Sequence, residues 1–459
     1  MGKWQLRPGQ QPLTERPLQE QAGCSEGRTS VRSYTSSSLV SEVLIPHNTS
    51  FMRHLWVLSA MILLGGCQPQ EAADPEISET GTVEISRMLQ GAVDRGDIPG
   101  VVAIVANKDR ILYHQAFGKM DVKNDQTMQK DSIFNIASMT KPITSVAVMM
   151  LYEKGKLGLD DPISQYMPRM KYLEVLASFH EDEGTYSTQD AERQVTIRHL
   201  LTHTSGFGYN FSNRVLSLLE QKTGLTQPEL PLLHQPGERW TYGMGTRVLG
   251  ELVEQISEQA LPQFYQERIF DPLGMHDTSY LLPEEKYPRW VTRHQRENDD
   301  LMERSNPQRQ EPAIFGDHGL LSTAYDYIQF LQMLLNGGTL QGNRILTEDS
   351  VAMMTRNQIG EVVVETQTGP NPALSRAFPL GAGRDKFGLG FQLTVAGEEE
   401  LHGRSPTSYS WSGLRNTHFW ADPEKEIAAV ILMQVLPFYD EACIRVYSDF
   451  EELIYRHLN

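Results

Sequence analysis

Cysteine is scarce in this chain. Cys24, Cys67 and Cys443 are the three present in 459 residues. They are too few and too scattered for a disulfide framework, and no C-x-x-C pair marks a zinc site. Basic charge is short as well: 41 Lys and Arg stand against 58 Asp and Glu, for a net charge of −17. Six basic and four acidic residues fall within 1–67, which leaves the remainder near −19. Such an acidic body argues against nucleic acid as a partner, because phosphate-backbone binding needs a clustered positive footprint. The apolar run at 55–64 is about ten residues, well short of the roughly 20 that span a bilayer. No period of 20–50 residues marks a repeat architecture. An apolar share of 39% and a charged share of 22% are those of a soluble globular chain. Its length allows two to four domains, or one large one.

What is present begins near residue 52. Arg53 and His54 precede the apolar run, which ends Leu64-Gly65-Gly66-Cys67. A basic flank, a short apolar core and small residues at the cut predict a secretory signal peptide over 52–67. The ending resembles a bacterial lipobox, in which Cys67 would be lipidated and would tether the protein to a membrane. Signal peptides begin a chain, so Met52 is read as the true start and 1–51, rich in Gln, Ser, Arg and Gly, as a non-native or disordered extension. Residues 68–80 read as an acidic linker. The expected location is outside the cytoplasm of a bacterium, as a periplasmic or membrane-anchored lipoprotein.

Beyond the linker, apolar spacing predicts a helix over 83–93, strands at 101–106 and 111–117 joined by a hairpin at Asn107-Lys108-Asp109, and a helix over 138–154. From about 157 to 314 helical fragments dominate, at 197–201, 214–222, 244–256 and 262–269. Another helix is expected at 325–336, then strands at 389–395, 417–420 and 427–434, and a closing helix at 441–457. Strands at both ends around a helical middle predict an α+β body over 81–459, with a cleft between its parts.

Ser138-Met139-Thr140-Lys141 opens the helix that carries Ile143, Val146, Ala147, Met150 and Leu151. Positions i and i+3 share a helix face, so hydroxyl and amine can meet. Burial and the positive end of the helix dipole both disfavour the ammonium, so Lys141 can be neutral and take a proton from Ser138.

The stretch 134–142, Leu157-Gly158-Leu159-Asp160-Asp161-Pro162 and the run 197–206 resemble the serine β-lactamase-like superfamily. So do the stretch 236–242, Pro272-Leu273-Gly274-Met275 and the run 319–324, all in the order and spacing of that superfamily. The resemblance covers about 80–457 and is nearest to the class C β-lactamase-like carboxylesterases, family VIII. It implies an antiparallel sheet flanked by helices, with a largely helical second subdomain. It makes Ser138 the nucleophile, Lys141 its partner, and Tyr242 a residue that shares or completes the general-base role. A Tyr242 phenolate beside the Lys141 ammonium would be mutually stabilising. The N–H groups of Ser138 and Leu414 would form the oxyanion hole.

Two departures bear on substrate. Met244 stands where the β-lactamase pattern Tyr-x-Asn has its amide, and it offers only soft apolar contact. Trp411-Ser412-Gly413 replaces a motif that begins with Lys or His, and Trp cannot pair with a substrate carboxylate. Trp411, Gly413 and Met244 are therefore assigned to substrate binding, and an uncharged small acyl group is expected in place of an anionic β-lactam. Competing motifs are set aside. Gly23-Cys24-Ser25-Glu26-Gly27 fits G-x-S-x-G but lacks a strand-turn-helix context. His199 and His203 are spaced like zinc ligands, but Leu200 occupies the glutamate position of H-E-x-x-H. Gly381-Ala382-Gly383 opens no helix and is a loop.

The expected activity is hydrolysis of small carboxylic esters through a Ser138 acyl-enzyme, with no metal or cofactor. A β-lactamase, D-Ala-D-Ala peptidase or transacylase of the same superfamily stays open. So does a catalytically silent cell-envelope binding protein, against which intact Ser138, Lys141 and Tyr242 argue.

Overall fold

Strand β1 (Gly100–Asn107) is buried along its whole length, because helices cover both faces of the sheet it centres. In a computed structural model the described residues are 74–307, 312–395 and 403–459. The expected signal peptide, Cys67, and the extension at 1–51 lie outside them, as do residues 68–73 of the 68–80 linker. Helix α1 (Glu79–Asp94) starts earlier than the apolar spacing suggested, because Ser78 caps it by accepting the N–H of Gly81 at 3.1 Å.

Eight strands form one sheet. In chain order they are β1, β2 (Ile111–Asp121), β3 (Gln126–Thr127), β4 (Lys386–Phe387), β5 (Gln392–Leu393), β6 (Tyr409–Gly413), β7 (Thr417–Asp422) and β8 (Ile427–Leu432). Across the sheet they run β4-β5-β6-β7-β8-β1-β2-β3, and every pairing is antiparallel. The fold is thus α+β, with strands from the start and end of the chain side by side: Val102 pairs with Leu432 and Asn107 with Ile427.

Side chains alternate along β1. Val101, Ala103 and Val105 join Ile85 and Leu89 of α1 and Val446, Phe450 and Ile454 of the last helix in one core. Each fully buried aliphatic side chain there contributes about 1.5–3 kcal/mol. The other face meets α4 (Ala324–Leu335), where Tyr327 packs on Phe419 of β7 at 5.2 Å between ring centroids. The last helix, α5 (Glu441–His457), brings the two ends of the body together. Ser78 N–H donates to His457 O at 3.1 Å, and Asn459 N–H to Glu76 O at 3.0 Å.

The middle segment is mainly helical, yet it carries two hairpins that the apolar pattern had not indicated, Glu174–His180 with Thr185–Asp190 and Arg293–Glu297 with Asp300–Arg304. Both are rich in polar residues, so their alternation is weak. Helix α2 (Thr140–Glu153) is buried on nearly every side, which is why its sequence is apolar all round rather than striped. α3 (Gly245–Ser257) packs against it. Among the described residues, no helix is long and apolar enough to cross a membrane.

Candidate active site

Ser138 sits on a single 3-10 turn, Ala137–Met139, and α2 begins only at Thr140. The expected helix start is therefore a tighter turn, but it still folds residues 138 and 141 onto one side. Ala137, just before the serine, has φ +45°, a left-handed conformation that costs a β-carbon-bearing residue about 1 kcal/mol or more. Asn135 Oδ1 holds it there by accepting the Ala137 N–H at 3.0 Å.

Two side chains converge on Ser138 Oγ: Lys141 Nζ at 3.1 Å and the Tyr242 hydroxyl at 2.7 Å. The sequence had placed these three together, and the fold does bring them together. Lys141 is buried and also donates to the backbone carbonyl of Asp317 at 2.9 Å. Burial lowers its pKa from the ordinary 10.5 to about 7, with Asp317 acting to raise it and Arg247 to lower it. Burial pushes the Tyr242 phenol well up, against the hydrogen bond to Ser138. The resting pair at neutral pH is thus a phenol beside a lysine close to its midpoint, not the phenolate–ammonium pair the sequence suggested.

The segment that delivers Tyr242 lies along the 203–208 stretch. Thr241 N–H donates to His203 O at 2.8 Å, and Gly237 N–H to Thr204 O at 2.7 Å. Gly243 permits the close approach, since a β-carbon there would meet Phe207 O at 1.9 Å. His203 wedges among Tyr242, Phe387, Trp240 and Trp411, stacking on Trp411 at 6.0 Å. Burial lowers its pKa to about 3, so it is a neutral spacer. His199 belongs to a helix cap, its Nδ1 accepting the Thr196 N–H at 3.2 Å. Among the described residues no cluster of His, Cys, Asp and Glu could hold a metal ion.

Ser138 and Tyr242 open into a narrow cleft walled by Phe211, Phe378, Phe438, Trp411 and Leu414 with Gln367, Ser375 and Ser412. Trp411 comes from β6, and Leu414 follows that strand at its turn into β7. Gly413 is not part of the wall. Its contribution is room: a β-carbon there would lie 2.3 Å from Ile136 O and from Thr417 Oγ1, so only glycine lets β6 lie against the Ser138 turn. Met244 is also outside the cavity wall. The chain turns at Gly243 into α3, and Met244 is buried at the head of that helix with its Sδ 3.8 Å from Gln227 Nε2.

Sequence reasoning missed the Phe211, Phe378 and Phe438 wall and a polar cluster around Asp317. The Asp317 carboxylate is fully buried. It accepts from Tyr209, from Arg247 Nε at 3.3 Å and from His318 Nδ1 at 2.9 Å. Burial would raise its pKa, but His318 and the charges of Lys141 and Arg247 outweigh that and hold it well below the usual carboxylate range. Its position just before Gly319-Leu320-Leu321 was the available signal.

An antiparallel sheet under helices on both faces, with serine, lysine and tyrosine meeting at one oxygen, defines a protein of the serine β-lactamase-like superfamily. The β-lactamase family profile matches residues 85–452, and the chain belongs to that family. It is 33% identical over 367 residues to Protein Rv1367c of Mycobacterium tuberculosis, covering 76% of this chain and 89% of that one. It is 29% identical over 409 residues to the lovastatin esterase of Penicillium rubens, covering 80% and 97%. Among solved structures, simvastatin synthase (LovD6 mutant) from Aspergillus terreus superposes with a TM-score of 0.71 at 25% identity, covering 82% of this chain and 95% of that one.

Proposed function

We propose that the protein is a serine esterase that cleaves carboxylic esters of small uncharged acyl groups through an acyl-enzyme on Ser138. The observation that carries this is the pair of contacts on Ser138 Oγ, 2.7 Å from the Tyr242 hydroxyl and 3.1 Å from Lys141 Nζ, at the mouth of an aromatic cavity. The neutral Lys141 amine takes the Ser138 proton as Oγ attacks the ester carbonyl carbon. The N–H groups of Ser138 and Leu414 receive the developing oxyanion. The carbonyl re-forms, the C–O bond to the alcohol breaks, and Tyr242 protonates the leaving oxygen, regaining its proton from the Lys141 ammonium. Water then attacks the acyl-enzyme by the same route in reverse.

The aromatic wall favours an apolar acyl group, and Trp411, standing where the β-lactamase motif has Lys or His, offers no cation to a substrate carboxylate. Similarity to the lovastatin esterase supports ester cleavage. A second reading, transfer of the acyl group to an alcohol in place of water, is supported by the likeness to a chain described as a synthase. β-Lactam turnover is expected to be weak. We further propose export with lipidation at Cys67, which mass spectrometry of the mature N-terminus tests.

The deciding assay uses p-nitrophenyl acetate, butyrate and hexanoate beside nitrocefin, on wild type and Ser138→Ala. Ester turnover that vanishes in Ser138→Ala, with slow nitrocefin hydrolysis, is the expected result. Fast nitrocefin and feeble ester cleavage would instead establish a β-lactamase, and no turnover of either would point to a binding protein. Adding a primary alcohol and following ester exchange separates transfer from hydrolysis.

A further inference from the structure

The site contains a buried carboxylate that the chemistry above does not use. Asp317 is fully buried, and a carboxylate in that position is tolerated only when paired and hydrogen-bonded. Its partners are the Tyr209 hydroxyl, Arg247 and His318, and its own backbone carbonyl is the second acceptor of Lys141 Nζ, at 2.9 Å. Arg247 in turn lies over the Phe315 ring at 4.5 Å. The carboxylate is therefore anchored from three sides within the residue whose main chain grips the lysine.

We propose that Asp317 is the positioning residue of the site: its anchored side chain fixes the carbonyl that aims Lys141 at Ser138, and its charge balance with Arg247 sets the pH at which Lys141 becomes able to accept a proton. The inference rests on the reading of Lys141 as the base.

The groups around Lys141 narrow the cause. Tyr209 and Tyr242 face it with ring centroids 5.3 and 4.8 Å from Nζ, and burial pushes both phenols up. His203, near enough for the lysine charge to act on it, is lowered to about 3 by burial. All three are neutral through the working range. Asp317, Arg247 and the half-exposed His318 on the Asp317 carboxylate remain. Asp317 favours the ammonium and Arg247 opposes it, so removing either must move the lysine in opposite senses.

The test is the pH dependence of kcat/KM for p-nitrophenyl butyrate in wild type, Asp317→Asn, Arg247→Gln and His318→Gln. Asp317→Asn is expected to move the acid limb down by roughly one pH unit, and Arg247→Gln to move it up by a similar amount. His318→Gln is expected to leave its midpoint in place. A merely structural role would lower kcat in both charge variants and leave the limb unmoved, which would overturn the proposal. A limb that disappears or shifts in His318→Gln would overturn it as well, by assigning the titration to that imidazole. Should Asp317→Asn fail to fold, the upward shift in Arg247→Gln decides alone. Absence of ester turnover in the wild type would defeat the esterase reading instead, and that outcome is distinct from every one above.

Discussion

Gly413 lies so close to Ile136 that a β-carbon on the glycine would stand 2.3 Å from the isoleucine carbonyl oxygen. The contact joins the edge of β6 to the turn that presents Ser138. Gly413→Ala must push the strand off that turn, taking Trp411 and the Leu414 N–H with it. Loss of one oxyanion donor costs about 10²–10³ in kcat, and a fall of that order is expected. A thermal melt measured alongside separates a displaced site from an unfolded protein. Activity within a factor of two of wild type would show that β6 is free to shift.

Removing the Tyr242 hydroxyl keeps the ring that packs on His203 and Trp411 at 5.1 and 5.2 Å. Tyr242→Phe should therefore retain KM and most of its stability, while kcat falls about 10²- to 10⁴-fold, the usual reach of a positioned proton donor. Steady-state kinetics with p-nitrophenyl butyrate measure both constants. A rise in KM with kcat preserved would make Tyr242 a binding residue.

The lowered pKa of Lys141 has two consequences of definite sign. With a folded value of about 7, the amine is protonated below that pH and cannot act as a base, so kcat/KM should fall on the acid side with a midpoint near 7. Folding obeys the same titration. Between about 7 and the ordinary 10.5 the unfolded chain binds a proton that the native protein lacks, so stability rises with pH across that window. Lys141→Met should be inactive yet melt higher than wild type at pH 6, and the gap should close as the pH approaches the upper end. Equal melting shifts at pH 6 and pH 9 would rule this out.

Phe378 is one wall of the cavity, beside Phe438 at 5.2 Å between centroids. Phe378→Ala should enlarge the acyl space and raise the hexanoate-to-acetate ratio of kcat/KM by about tenfold, since each methylene accommodated is worth roughly 1–3 kcal/mol. A ratio that stays put would place the acyl group elsewhere.

Ser138 and Lys141 were legible in the sequence because i and i+3 share a helix face, whereas Tyr242 was assigned only through the resemblance to the superfamily. Central strands and the flanking helices were legible too, since burial on one or both faces leaves a strong apolar pattern. Strand β6 was not assigned, although Tyr409, Ser410, Trp411, Ser412 and Gly413 alternate buried with half-buried residues, because five residues ending in glycine make a short signal. The Asp317 cluster was hidden for a different reason. Tyr209, Arg247 and Asp317 are separated by up to 108 residues, and only the fold makes neighbours of them. Met244 shows the reverse, since its place in the motif suggested a cavity wall and the helix beginning at Gly245 takes it elsewhere.

The pairing of Ile77 with Leu458 makes the body a belt with a buckle. Trimming the last three residues would take away the acceptor at His457 O and the donor at Asn459 N–H, so the loss would be felt first at the head of α1, more than 350 residues earlier in the chain. For the same reason a short loop could splice the two ends directly, and the chain could be reopened at a surface turn such as 181–184 without disturbing the order of strands in the sheet.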